Sequence, residues 1–223
     1  MAMTADGKIA TANRAVSSFG SRLDREHLLE LRATADAVMA GAGTVNEERV
    51  TLGPGPARFR SLRRSRGLAE CNLRIVVSGA GTVSPQADVF RDHSSPVIVL
   101  ATERIAASRL RQLSAVADEV RICGRAAIDF RVTFRWLWER WGVRRLLCEG
   151  GGELNSALFR EGLVDELHLT ICPSVLGGQR APTIADGPDP RRLSDAARLR
   201  LVWMRRMGSE LFLRYCVRKE GRK

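Results

Sequence analysis

The sequence predicts an α/β fold: a mostly parallel sheet flanked by helices, closed at its C-terminal side by an antiparallel strand pair. Three observations carry this. Short Val/Ile/Leu-rich runs alternate with longer amphipathic ones as far as residue 160, the rhythm of a parallel sheet with crossover helices. Three apolar runs then follow with little helix between them. Gly208-Ser209 reads as a tight turn joining the last two.

In chain order, the strand-like runs are DAVMAG (36–41), LRIVVSG (73–79), PVIVLA (96–101), DEVRIC (118–123) and RRLLCEG (144–150). Each is short, apolar and closed by polar or small residues. Between them, residues 24–35, 102–117 and 130–142 read as helices, the first with Leu28, Leu31 and Ala35 on one face and Asp24 as N-cap. DELHLTICP (165–173), RLRLVWMRR (198–206) and SELFLRYCV (209–217) complete a mixed sheet of roughly eight strands in a single domain spanning 1–223. Two segments read as long loops, 53–67 with five arginines and 173–192 rich in Pro and Gly. Connections of that length raise the odds of function.

The net charge is +11, and Lys8, Lys219 and Lys223 are the only lysines among the 36 basic residues. A phosphorylated partner, or arginine replacing lysine across the surface, accounts for that balance. No apolar stretch approaches the roughly 20 residues of a membrane span. No secretory leader is visible, and five widely spaced cysteines without a CxxC argue for free thiols in a cytoplasmic setting and against a disulfide framework or a metal site.

Three stretches carry the chemistry. In RRLLCEGGGELNSALFREGLVDEL (144–167), a strand leads through Glu149 to Gly150-Gly151-Gly152 and a helix starting near Glu153 or Leu154. A helix beginning beyond a strand's C-terminal end offers N–H groups and a positive dipole end, and bare glycine backbone admits a phosphate. In DAVMAGAGTVNEE (36–48), Gly41-Ala42-Gly43-Thr44 repeats that arrangement before a short helix. Two such strand ends suit an extended phosphate ligand, although neither is the GxGxxG or P-loop pattern. In MTADGKIATA (3–12), Asp6-Gly7 signals a turn, and Lys8 is a compact ammonium in a chain that otherwise uses arginine.

Taken together, MAMTADGKIAT, LRATADAVMAGAGTV and LLCEGGGELNSALFREGLVDELHLTICPSVLGG resemble the reductase domain of riboflavin biosynthesis, over residues 1 to about 180. The resemblance implies a dihydrofolate-reductase-like fold. It also implies NADPH-dependent reduction of a ribosylaminopyrimidine 5′-phosphate to its ribitylamino product. It places Ala2, Gly43, Thr44, Ser78, Gly150, Gly151, Gly152, Glu153, Leu154 and Asn155 against NADPH. It places Arg32 and Ser17 or Ser18 at the substrate, and Lys8 and Glu149 beside its ribose and pyrimidine. Their chemistry then makes Lys8 and Glu149 the candidates for handling protons and Glu48 for orienting ribose or nicotinamide, and Arg32 with an arginine of 58–66, such as Arg58, for holding the substrate phosphate. Related reductases are dimers, so a homodimer is expected. The zinc deaminase domain of bifunctional relatives, with its HxE and PCxxC signatures, has no counterpart here. One departure stands out: NEERVTLGPGPARFR carries Glu48 where the family has aspartate, and no proline follows it.

Two rival readings differ in substrate or class. An enzyme of the same architecture could reduce another pterin or pyrimidine, such as dihydrofolate. A basic nucleic-acid-binding protein would exploit the RFRSLRRSR run (58–66), but aromatics are only 5% of the chain and sit away from it, and no DNA- or RNA-binding motif appears.

Overall fold

The computed structural model describes residues 1–13, 19–47 and 50–218. Ser17, Ser18 and Glu48 lie outside the described residues. The strands are β1 (Ala2–Thr4), β2 (Ala37–Gly41), β3 (Leu73–Val77), β4 (Val97–Ala101), β5 (Glu119–Ile122), β6 (Leu146–Cys148), β7 (Glu166–Cys172), β8 (Leu199–Met207) and β9 (Glu210–Val217). The helices are α1 (Arg22–Arg32), α2 (Ala42–Val45), α3 (Ala57–Ser65), α4 (Ala107–Ser114), α5 (Phe130–Trp141) and α6 (Gly152–Arg160). The mixed α/β class is as expected, with a mainly parallel sheet, flanking helices and an antiparallel pair. The strands pair as two sheets, however, and not as one. The chain divides into two compact units, Leu28–Glu149 and Met1–His27 with 150–223.

In the unit Leu28–Glu149, five strands run in the order β5-β4-β3-β2-β6, every pair parallel. Parallel strands are covered on both faces, so β2 and β4 are apolar throughout and β3 is so apart from the buried Arg74, while the edge strand β5 carries Glu119 and Arg121. Val38, Ala40, Val76, Val97 and Val99 join Leu52, Val89, Phe90 and Leu113 in one core cluster. The alternate residues Met39, Ile75, Ile98 and Leu100 are equally buried.

The arginine-rich stretch expected as a loop is helical over Ala57–Ser65. Phe59, Leu62 and Arg63 stand at i, i+3 and i+4 on its inward side, and arginine is nearly as good a helix former as leucine. The buried face contains an arginine, which hides the helix from a hydrophobicity pattern. Arg63 is 1% exposed and donates to the carbonyls of Ala69 (2.8 Å), Arg32 (2.7 Å) and Ala35 (2.6 Å). It thereby fastens the C-terminal end of α1. Burial lowers its pKa from the ordinary arginine value. Arg63→Met removes the donor from the carbonyls of Ala69 and Ala35, each worth about 1–3 kcal/mol when buried without one, while Arg32 O keeps Ala35 N (3.3 Å). We expect a loss of at least ~2 kcal/mol in denaturant unfolding; a change below ~1 kcal/mol would contradict this account.

In the second unit the order is β1-β7-β9-β8, with β1 parallel to β7 and the other pairs antiparallel. Gly208-Ser209 makes the two-residue β8–β9 turn, Met207 facing Glu210, with Gly208 at φ 62°. Strand β8 is at the sheet edge and exposed along nearly its whole length. Helix α1 begins two residues before the expected cap Asp24. Ser21 takes that place, its Oγ accepting from Leu23 N (3.1 Å). The buried Glu210 carboxylate grips both Ser21 N (2.8 Å) and Oγ (2.7 Å). In the first unit, the helix expected over 102–117 narrows to α4.

Candidate functional site

Strands β3, β2 and β6 are neighbours and parallel, so their C-terminal ends share one sheet edge. Ser78 follows β3, Gly41 ends β2 and leads into Ala42–Thr44, and Glu149 follows β6. Glu149 N continues the ladder to Met39 O at 2.8 Å. Ligands of open parallel sheets bind beyond such ends. Gly43 and Thr44 lie inside α2 and not in a loop before it, since Gly41 already serves as N-cap, without a side-chain cap. Ser78 is buried, and its Oγ receives Val83 N (3.0 Å), closing its own turn.

Glu149 and Arg32 form a two-pronged ion pair. Arg32 Nε reaches Oε1 at 2.6 Å and Nη2 reaches Oε2 at 2.7 Å, with side chains 12% and 9% exposed. Fork-on-fork pairing of this kind fixes orientation as well as distance. Arg32 Nη1 donates to Gly53 O (2.6 Å). The preceding Leu52 is fully buried at φ 57°, the only non-glycine at positive φ among the described residues. A leucine there is held by its surroundings. Asn72 Nδ2 donates to Leu52 O (2.9 Å), so the strained peptide is fastened on both sides.

The glycine turn belongs to the second unit. Gly150 and Gly151 have φ 88° and 79°, a region open chiefly to glycine. Helix α6 starts at Gly152, slightly earlier than expected, with Gly151 as N-cap and no side chain capping it. That fits a pyrophosphate, because no N-cap side chain competes for the first-turn N–H groups. The direction of the missing Cβ atoms tells a different story from phosphate approach. A Cβ on Gly150 would stand 2.2 Å from Met1 Cε. A Cβ on Gly152 would stand 2.3 Å from Asp186 Oδ2 and 2.7 Å from Thr183 O. Asp186 N donates to Gly152 O (2.9 Å), and Asn155 Nδ2 donates to Ile184 O (2.8 Å). Gly152 is therefore bare because other parts of the chain pack against it, whereas at Gly150 the φ of 88° sets the requirement, since the Met1 methyl is the movable end of its side chain; the segment 183–186 rests on the first turn of α6.

In the same unit, Lys8 Nζ donates to Ala181 O (3.2 Å). Its turn is closed by Thr4 and by Asp6, whose carboxylate receives Thr4 Oγ1 (2.6 Å), Leu176 N (3.0 Å) and Gly177 N (2.7 Å). These donors, Thr4 foremost, lower the Asp6 pKa from 3.8 to about 2. The folded value lies below the unfolded one, so the stabilisation is present above the ordinary carboxylate range and is lost as pH falls through about 2. A carboxyl ¹³C titration of Asp6 should show a midpoint near 2; a midpoint near 4 would contradict these contacts.

Ala2 lies half-buried on β1, opposite Thr170. Glu153 is exposed, and Leu154 is buried. Arg58 is exposed, with its guanidinium over the Phe59 ring at 4.8 Å. Its neighbours are otherwise engaged: Arg60 and Arg64 face Glu70, and Arg66 donates to Ala33 O. Sequence reasoning missed Arg63, Leu52, Asp186 and Asp6 as parts of these groupings. Only Asp6 carried a signal, the Asp-Gly turn.

The family model described as RibD C-terminal domain matches residues 1–213. The chain belongs to the RibD C-terminal domain family. Two curated members of similar sequence are named 2,5-diamino-6-ribosylamino-4(3H)-pyrimidinone 5′-phosphate reductase. That of Methanothermobacter thermautotrophicus is 33% identical over 97% of this chain and 95% of its own. That of Archaeoglobus fulgidus is 34% identical over 84% of each chain. The fold agrees with the crystal structure of a pyrimidine reductase-like protein from Corynebacterium diphtheriae, with a TM-score of 0.80 at 23% identity over 98% of this chain and 90% of that one. Among the described residues of this RibD C-terminal domain, no helix is long and apolar enough to cross a membrane.

Proposed function

We propose that this chain is an NADPH-dependent reductase of a ribosylaminopyrimidine 5′-phosphate, and that it takes the undeaminated 2,5-diaminopyrimidinone. One observation carries the reading: the similarity to reductases of that name extends over nearly the full length of both chains. NADPH, when bound, supplies hydride to ribose C1′ of the ring-opened substrate. The chain's own residues bind, orient and move protons. The first-turn N–H groups of α6, from Gly152, Glu153 and Leu154, receive the cofactor pyrophosphate, on a turn shaped by Gly150, Gly151 and Asn155. Ala2, Gly43, Thr44 and Ser78 contact the rest of the cofactor. On ring opening Lys8 gives its ammonium proton to the ribose ring oxygen and is reprotonated from solvent, while Glu149 takes the proton of the substrate nitrogen. Glu149 returns that proton to the nitrogen as hydride reaches C1′, and its pairing with Arg32 keeps both side chains oriented toward the substrate. Glu48 orients the ribose, Ser18 contacts the substrate, and Arg58 binds its phosphate.

The test is NADPH oxidation with three compounds in parallel: the diaminopyrimidinone ribosylamine phosphate, its deaminated uracil analogue, and dihydrofolate. Preference for the first supports the reading. Preference for the second keeps the reaction and reverses the order of deamination. Turnover of dihydrofolate alone overturns it.

A homodimer formed along β8 is part of the same proposal. This nine-residue edge strand exposes Leu201, Trp203 and Met204, and soluble proteins cover long apolar edges. Light scattering should give twice the chain mass, and Trp203→Asp should give the monomer; a monomeric parent would contradict it. Five free cysteines support a reducing, cytoplasmic location. The RFRSLRRSR run binds protein groups through Arg60, Arg63, Arg64 and Arg66, which favours a structural role for it over nucleic-acid binding.

A further inference from the structure

The turn that carries Lys8 is fastened by a side chain without a part in the chemistry above. One Asp6 oxygen receives Thr4 Oγ1 and Leu176 N, and the other receives Gly177 N. Thr4 Oγ1 in turn accepts Lys8 N at 2.9 Å. The segment from Ser174 to Thr183 then returns to the same turn. Ala5 N donates to Ser174 O (2.7 Å), and Ile9 N donates to Pro182 O (2.9 Å). Lys8 pairs with Thr183 in an isolated antiparallel bridge, and its ammonium donates to Ala181 O. This strap is thus anchored at its start by Asp6 and at its far end by the backbone beside Lys8.

The strap turns through two glycines in its middle. Gly177 and Gly178 adopt φ 70° and 83°, and glycine loses more freedom on ordering than any other residue. The Asp6 side chain is exposed, so its charge contributes little by attraction alone. What it contributes is geometry. A short acceptor that gathers one hydroxyl and two N–H groups makes a reverse turn and a distant loop into one piece.

We propose that Asp6 is a positioning residue for the reduction: by joining the Thr4–Lys8 turn to the 174–183 strap, it sets where the Lys8 ammonium stands. The proposal rests on the reading that Lys8 touches the substrate. A misplacement of about 1 Å costs on the order of 10²-fold in rate, so loss of this anchor is visible in turnover.

The experiment is a double-mutant cycle with hydrogen exchange on the full chain. Asp6→Ala should lower kcat/KM by ~10–100-fold. Asp6→Asn, which keeps one acceptor oxygen, should fall between. In a Lys8→Ala background, Asp6→Ala should cost no more than ~2-fold, because coupled residues are not additive. NADPH affinity should stay within ~2-fold, and amide exchange at Leu176 and Gly177 should quicken by ~10-fold or more as their local opening is eased. Equal losses in both backgrounds would show a merely structural part and overturn the proposal, as would unchanged exchange at Leu176 and Gly177. A Lys8→Ala enzyme with full turnover would overturn the reading of Lys8, and the proposal with it.

Discussion

Glu149→Gln should turn over at least ~10²-fold more slowly than the parent enzyme, the usual scale for a lost general acid or base. The structure adds a second expected effect. Both Glu149 oxygens are taken by Arg32, and neither side chain is more than 12% exposed. Removing one partner of a buried pair leaves the other charge unsatisfied and costs about 3–5 kcal/mol. Turnover and stability therefore fall together in the single variant. A double variant separates them. With both residues replaced by methionine, neither charge is left buried, and such replacements are often neutral or stabilising. This protein should recover most of the stability lost in Glu149→Gln, short of the roughly 1–3 kcal/mol of the Gly53 carbonyl that loses Arg32 Nη1, and yet remain at the low turnover of Glu149→Gln. Recovery of activity with stability would remove the pair from the chemistry and leave it a structural bridge.

Gly152→Ala is the second large effect, and its cause is packing. Its new Cβ would stand 2.3 Å from Asp186 Oδ2 and 2.7 Å from the Thr183 carbonyl. A carboxylate can swing aside, but a backbone carbonyl moves only with its segment. The turn at 183–186 must lift, and the Asn155–Ile184 hydrogen bond goes with it. Overpacking of this kind costs about 1–3 kcal/mol. Since the displaced turn rests on the first turn of α6, NADPH affinity should weaken by ~10-fold or more, on the scale of that strain. Asp186→Gly should not rescue it, because the Thr183 carbonyl remains. Fluorescence titration of NADPH measures this directly. Unchanged affinity in Gly152→Ala would mean that the cofactor does not use this helix start.

Whether a residue's part in these sites is legible in the sequence depends on whether its job is local. Strands β2 to β9 match their apolar runs within a few residues: burial on both faces leaves a continuous hydrophobic signal in β2, β3 and β4, and in β7, β8 and β9 β-branched, leucine and aromatic residues between turn signals mark the strands. The glycine turn is legible as a special backbone, and its positive φ angles agree. The reason for glycine at 152 is not legible, since it depends on Thr183 and Asp186, farther along the chain. Helix α3 reads as a loop because Arg63 looks like a surface residue until its three carbonyl partners are known. Arg32 and Glu149 each stand out in the sequence, but their pairing across 117 positions does not. The division of the strands into two sheets is hidden as well, because strand runs alone do not say which edges meet.

The central claim is that hydride from NADPH arrives at ribose C1′ of a phosphoribosylaminopyrimidine. The most direct test supplies the enzyme with NADPH carrying deuterium at C4, on the face it transfers, together with the diaminopyrimidinone substrate. The expected result is a ribitylamino product heavier by one mass unit, with the label on C1′ by NMR. Label on the pyrimidine ring, or an unlabelled product, would contradict it.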